Sequence, residues 1–201
     1  MVTHNGGKTW RKVLKDLTEA GFRCSWEIYD AQHFGVPQVR RRVYIVGFKK
    51  NLGVTPKMPV QPMLERPLLS DFLDDDMGTP ADLPNPESIA GKVLRCFARR
   101  LKQANMENNA WAVDIDSSPK FATATQEICP TLTVARSAGF WITSKRRRMN
   151  AAEQFRCQGF PTEDIVALSS RRAMGSLAGN AMCVPVLTHI LDTLLPQLGF
   201  C

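Results

Sequence analysis

The chain predicts an α/β fold, and three stretches carry that prediction. An amphipathic helix comes first, two strands rich in β-branched and aromatic residues follow, and an apolar helix closes the chain. In the first stretch, Trp10, Val13, Leu14 and Leu17 recur at i, i+3, i+4 and i+7 between lysines and arginines, and Gly21 supplies the stop. Cys24 to Asp30 reads as a short strand, a turn-rich segment runs to Pro37, and Arg42 to Gly47 is the strongest strand signal. Helix, strand, loop and strand at this spacing read as the closing edge of an α/β sheet, ending in a hairpin. Residues 179–195 carry Met182, Val184, Val186, Leu187, Ile190, Leu191 and Leu194 and read as one mostly buried helix. Pro185 falls in its first turns, where a missing N–H costs least.

The texture changes from about Lys49. Prolines at 56, 59, 62, 67, 80, 84 and 86 and the acidic run Asp74-Asp75-Asp76 mark a loop-dominated insertion. Within it, Leu68 to Leu73 is a short helix candidate. Gly91 to Lys102 is a longer one, with Val93, Leu94, Phe97 and Leu101 on one face. A second globular run begins near Cys129 with Pro130-Thr-Leu-Thr133. The basic run Lys145-Arg-Arg-Arg148 and a helix candidate from Ala151 to Cys157 follow.

Composition bounds the function. At 201 residues and 44% hydrophobic, the chain can bury a core of about one domain. Its 26 Lys+Arg against 19 Asp+Glu give a formal charge of +7, which favours a polyanionic partner, nucleic acid ahead of a membrane surface. The six cysteines are scattered without a Cys-x-x-Cys pair, and three histidines complete the soft ligand set, so neither a metal site nor a disulfide framework is expected. No uninterrupted apolar run of about 18 residues and no signal-peptide core are present, so the chain reads as soluble, not secreted and without a membrane partner.

Three clusters bear chemistry. In Gly35-Val-Pro-Gln-Val-Arg-Arg-Arg-Val-Tyr44, strand periodicity would put Gln38, Arg40 and Arg42 on one face. Such a planar donor array suits a phosphate, a carboxylate or the carbonyl edge of a base; the alternative is a charged edge strand blunted against aggregation. In Arg147 to Pro161, Glu153 and Arg156 stand three apart on a helix, close enough to brace each other, and the basic run before them is either a solvated face or a phosphate rail. In Ala178-Gly-Asn-Ala-Met-Cys-Val-Pro-Val186, Gly179-Asn180 at a helix start would offer free backbone N–H groups to an anion; the alternative is an ordinary N-cap by Asn180.

Taken in order, these clusters resemble the C-terminal half of a DNA (cytosine-5) methyltransferase. His4-Asn-Gly-Gly-Lys-Thr-Trp10 with the helix end that follows is similar to the family's seventh motif block. Phe34 to Gly47, with its Gln-x-Arg-x-Arg, resembles the eighth, Arg147 to Pro161 the ninth, and Gly179-Asn-Ala-Met-Cys-Val-Pro-Val the tenth. The resemblance implies the C-terminal part of a Rossmann-like, S-adenosylmethionine-dependent methyltransferase domain with a small irregular target-recognition domain. Residues 1–50 would be the catalytic domain's sheet edge, 51–140 the target-recognition region, and 141–201 the return to the catalytic domain. It further implies double-stranded DNA as partner and S-adenosylmethionine as methyl donor. Arg42, Arg40 and Gln38 would be catalytic, Arg42 donating to the cytosine O2, Arg40 orienting an acid or a phosphate, and Gln38 holding the array. Asn180 and Ala181 would bind the cofactor, and Thr131, Thr133 and Arg136 would contact DNA.

The family's Phe-x-Gly-x-Gly, Pro-Cys and Glu-Asn-Val elements are not found in the chain; Cys129-Pro130 has the order reversed, and Met106-Glu-Asn-Asn109 is no substitute. No cysteine here is therefore expected to be the nucleophile, and activity is expected to need a second chain or an N-terminal half that carries it. A non-catalytic DNA-binding or regulatory subunit, a truncated relic and an RNA-directed member of the family are the alternatives. The location expected is a nucleus or a bacterial cytoplasm.

Overall fold

A computed structural model describes residues 2–106, 109–162 and 169–200. The chain divides into two compact units that interleave along the sequence. One comprises Met1–Asp30, Arg41–Pro62 and Val186–Cys201, the other Ala31–Arg40 and Met63–Pro185.

In the first unit, helix α1 (Lys8–Glu19) forms where the amphipathic pattern predicts, with Trp10 as its buried residue. Its N-cap is Gly7 at φ 75°, a left-handed conformation that glycine adopts without strain. Strands β1 (Phe22–Asp30) and β2 (Arg41–Lys49) pair antiparallel from Phe22↔Lys49 to Asp30↔Arg41, one to two residues longer at each end than the β-branched core of β2 alone indicates. Trp10 of α1 packs edge-on against Trp26 of β1, ring centroids 5.0 Å apart.

The proline-rich segment that follows β2 is a strap bonded to this unit. Prolines lack the N–H a ladder strand needs, so Pro56 and Pro59 are held through their carbonyls. The Ser25 hydroxyl donates to Pro56 O and the Tyr29 hydroxyl to Pro59 O at 2.6 Å, while Nε2 of His189 lies 2.9 Å from Val60 O. Gln197 exchanges two 2.9 Å bonds with the Lys57 backbone.

The second unit is built on a four-stranded antiparallel sheet in the order β4-β3-β5-β6, from β3 (Trp111–Val113), β4 (Ala124–Gln126), β5 (Trp141–Ile142) and β6 (Arg147–Arg148). Successive strand side chains point to opposite faces. Ala112 and Ile142 accordingly enter one core with Leu69, Leu132, Phe140 and Met149. Val113 and Trp141 enter another, covered by Val93, Leu94 and Phe97 of helix α2 (Ile89–Gln103). The Ser88 hydroxyl caps α2 by accepting from Gly91 N. Leu68 to Leu73 yields only a 3-10 turn over Leu69–Phe72, closed by the Asp71 carboxylate accepting from Leu68 N.

Helix α3 (Ala151–Arg156) starts on a capping box in which Asn150 and Glu153 accept each other's backbone N–H. The single closing helix expected over 179–195 is two helices, α4 (Arg171–Asn180) and α5 (Val184–Leu194). Pro185 has no N–H to give to residue 181 and its ring would clash there, so α4 does not run on into α5, where the proline sits in the first turn. The α4 segment contains two glycines, which lower its helix propensity. Both are required by packing: a Cβ on Gly175 would lie 1.8 Å from Ser137 O, and one on Gly179 would lie 2.6 Å from Thr133 C. Together α4 and α5 lie in Arg171–Leu198, the one run among the described residues long and apolar enough to cross a membrane by length and composition. The break at 181–183 divides it into two short helices.

Burial first, and then the negative charge of Glu27, push the Tyr29 phenol up to about 12. Because the folded value is raised, its contribution to stability is complete below the unfolded value of about 10 and is lost as pH rises through about 12. In a Tyr44→Phe variant, where Tyr29 is the sole tyrosine, the tyrosinate absorbance of the folded chain should rise near pH 12. A rise near about pH 10, as for a free tyrosine, would show the phenol to be solvated.

Candidate functional site

The second unit gathers most of the residues that the sequence singles out. Before β2 begins, the segment Ala31–Arg40 runs beside Cys129 in a parallel bridge at Gln38, with Val39 N donating to Cys129 O and Cys129 N donating to Pro37 O. Thr131 Oγ1 donates to Val39 O at 2.7 Å. Arg40 then reaches further into the unit. Its guanidinium, on a residue only 7% exposed, donates to Leu132 O at 2.8 Å, Gly179 O at 3.2 Å and Ala181 O at 2.8 Å. One side chain thus ties the strand entry to the Thr-Leu-Thr segment and to the end of α4.

The ninth block joins the same assembly. Gln158 donates to Ala178 O and accepts at its backbone carbonyl from Val184 N. Gly159, at φ +77°, leaves room for the ring of Pro185, which a Cβ would meet at 2.4 Å. Block order along the chain therefore becomes contact in space.

Several sequence readings change here. Gln38 and Arg40 precede β2, so strand alternation does not place them on one face with Arg42. Gln38 is wholly buried, and its amide makes no hydrogen bond among the described residues, so it holds no donor array in place. Through the three bonds above, Arg40 clamps backbone. Arg42 is exposed on β2, and its guanidinium donates to Arg41 O at 2.9 Å. Asn180 ends α4 rather than starting the last helix, and Ala181 is the C-cap of α4. The helix N–H groups expected there are therefore not on offer. What the corner does present is the exposed side-chain amide of Asn180 on a backbone anchored by Arg40.

In the basic run, Lys145, Arg147 and Arg148 are taken up by carboxylates, and Arg146 is exposed. Arg147 grips Glu153 with two bonds, 2.7 and 2.9 Å, and Asp76 with a third of 2.7 Å. These partners, the Glu153 bonds foremost, raise the Arg147 pKa against the effect of burial. Arg148 forms a bidentate pair with Asp116, and Lys145 lies 3.5 Å from Asp75. Arg156 pairs with Asp74, not with Glu153. Burial would raise the Asp74 carboxyl, but bonds from Arg156 and Asn150 outweigh it and hold the carboxyl low. Two pairs, Asp75 with Lys145 and Asp76 with Arg147, thus join the acidic run to the basic run about 70 positions away. Two runs of opposite sign were the available signal, and local periodicity cannot pair them.

Of the DNA-contact candidates, Thr131 is engaged with Val39 O, and Thr133 precedes the 3-10 turn Val134–Arg136. Arg136 donates to Asp114 at 2.8 Å and to Ser117 at 2.8 Å. The Asp114 carboxyl stays low although burial opposes it, because Ser117 and Arg136 bond its charged form. Cys129, Cys157 and Cys183 are buried, and a bond to Cys129 together with burial pushes the Cys157 thiol far up, an inert state. Cys201 and the Glu107-Asn108 pair lie outside the described residues.

A model of the C-5 cytosine-specific DNA methylase family matches residues 1–195. The type II methyltransferase M.NgoBI of Neisseria gonorrhoeae is 27% identical over 187 residues, which are 93% of this chain and 55% of that protein. M.HaeII of Haemophilus aegyptius is 25% identical over 199 residues, 99% of this chain and 59% of that protein. The chain thus spans little more than half the length of these curated relatives. Among solved structures, the S. pombe Dnmt2 methyltransferase shares the fold with a TM-score of 0.62 at 17% identity, covering 100% of this chain and 64% of that one.

The clamp and the exposed arginine separate cleanly by stability. Arg40→Met should cost about 3 kcal/mol or more, since three carbonyls, two of them buried, lose their donor. Arg42→Ala should stay within about 0.5 kcal/mol of the parent. Urea midpoints followed by circular dichroism measure both, and similar shifts for the two would refute the clamp.

Proposed function

The chain belongs to the C-5 cytosine-specific DNA methylase family, and from that membership we propose that it forms the C-terminal half of a DNA (cytosine-5) methyltransferase. The observation that carries the reading is the Arg40 clamp, which fastens the eighth block to the Thr-Leu-Thr segment and to the tenth block. The reaction is methyl transfer to C5 of a cytosine turned out of duplex DNA. A cysteine thiolate from the other half adds to C6, C5 takes the methyl group, the C5 proton leaves and the thiolate is expelled. S-adenosylmethionine supplies the methyl group when bound.

This chain's residues orient and stabilise. Arg42, exposed and free to reach a ligand, donates to the cytosine O2 as negative charge grows there during thiolate addition. Arg40 is a positioning residue: it fixes the carbonyls on either side of Asn180, whose amide meets the cofactor, with Ala181 beside it. Gln38 lines the buried end of the same segment. Thr131 and Thr133 border the DNA side of the clamp, and Arg136 reaches a phosphate from its seat on Asp114. That no cysteine here acts as nucleophile is supported by the burial of three of them and by the absence of a preceding proline at each.

Two experiments test the reading. In enzyme assembled with a segment bearing the cysteine and the Glu-Asn-Val acid, Arg42→Ala should slow methylation about 100-fold while DNA affinity changes far less. Equal losses in rate and affinity would reduce Arg42 to a phosphate contact. Co-expression with that segment should also raise the soluble yield of this chain, because among the described residues β1 and β2 form a sheet of two strands. The same yield with and without it would count against a missing structural half.

A further inference from the structure

Helix α2 carries a feature that the methyl-transfer reading leaves unused. Its apolar side, Val93, Leu94, Phe97 and Leu101, is turned to the sheet and its neighbours. The other side holds Lys92, Arg95, Arg99, Arg100 and Lys102, all exposed, and the helix contains no acidic residue. At 100° per residue these five cations fall within an arc of about 160°. Lys92, Arg95, Cys96, Arg99, Arg100 and Gln103 line a shallow trough of about 490 Å³ along the helix.

The charges are largely uncompensated. The nearby carboxylate is Glu87, 3.6 Å from Arg95 and 4.0 Å from Lys92, and such exposed pairs are weak. Arg99, Arg100 and Lys102 have no ion pair among the described residues. This contrasts with Lys145, Arg147, Arg148 and Arg156, each of which meets a carboxylate. Of the basic run Lys145–Arg148 only Arg146 is exposed without an ion pair, whereas on α2 three neighbouring cations are. Beside the trough, Cys96 and Arg100 share a small cavity with Pro119, Ala122 and Thr123, the loop that carries Lys120 and the exposed Phe121. From Lys92 to Gln103 the face is about 16 Å long, which spans four or five phosphates of one strand at about 3.4 Å each.

We propose that the basic face of α2 is a sequence-independent docking surface for the phosphate backbone of duplex DNA. It rests on the reading above only for the identity of the polyanion. The surface adds affinity without reading bases, and so holds the duplex whatever sequence is being sampled.

The test uses the chain with a random-sequence duplex, followed by fluorescence anisotropy across a salt series. Replacing Arg99 and Arg100 together by alanine should lower low-salt affinity and reduce the slope of log affinity against log salt by about 0.9 for each phosphate no longer neutralised. Replacing Lys12 and Lys15 of α1, exposed cations of equal charge, should leave that slope at its parent value. Equal effects from the two pairs would overturn the assignment, since net charge alone would then explain binding. Cys96 gives a second readout free of substitution. Duplex DNA should slow its alkylation by N-ethylmaleimide severalfold, and high salt should restore the rate; an unchanged rate overturns the proposal. If the parent chain binds no duplex, this inference falls along with the DNA reading. If it binds but the α2 variants keep the parent slope, only this inference falls. If a structured RNA shows the α2 dependence and duplex DNA does not, the commitment to DNA is overturned.

Discussion

The guanidinium of Arg40 is the point on which the candidate site depends. Burying a cation is costly unless its donors are met, and here they are met by backbone carbonyls from two distant segments. That choice has a geometric consequence. Carbonyls fixed by a planar fork cannot rotate independently, so the residues flanking them, Thr131 and Thr133 on one side and Asn180 on the other, inherit the position of a single side chain. A lysine could carry the charge but would offer no such fork.

A second constraint is the pairing of the acidic and basic runs. Asp74, Asp75 and Asp76 meet Arg156, Lys145 and Arg147, and Glu153 closes the network from the capping box of α3. Because Glu153 also accepts from Asp74 N at 2.9 Å, one carboxylate fastens a loop, a helix start and a strand. The excess of positive charge that composition announces is therefore not spread evenly. Part of it is cancelled inside the second unit, and part stays open, on α2 among other places.

Legibility in the sequence follows the range of the interaction. α1 and α2 are readable because their apolar residues recur at the helical period, as with Trp10, Leu14 and Leu17, and β2 because β-branched and aromatic residues crowd it. α4 is not, because Gly175 and Gly179 argue against a helix locally and are explained only by backbone approaching from Ser137 and Thr133. Pro185 marks a helix start in sequence and structure alike, but nothing local announces the helix before it. Of the site, the residues are legible and their partners are not. Arg40 looks like a surface donor until carbonyls from positions 132, 179 and 181 surround it. Arg147 looks like a rail until Glu153 and Asp76 occupy it. The prolines at 56 and 59 read as loop because their bonding runs through carbonyls, which no hydropathy pattern reports.

The interleaving of the two units has a consequence for how the chain is made. The unit holding β1 and β2 needs Val186–Cys201, and α5 residues Val186, Ile190 and Leu194 are among its buried side chains. On the ribosome, its first helix and hairpin emerge early and must wait for the last residues of the described chain. The other unit takes in nothing beyond Pro185, and all of it except Ala31–Arg40 is continuous. Synthesis therefore favours an order in which the later-starting unit consolidates first, on a segment taken from inside the earlier hairpin. During that interval the strands of β1 and β2 are exposed to pairing with other nascent copies, so translation speed and chaperone access, as much as final stability, would govern how much protein survives.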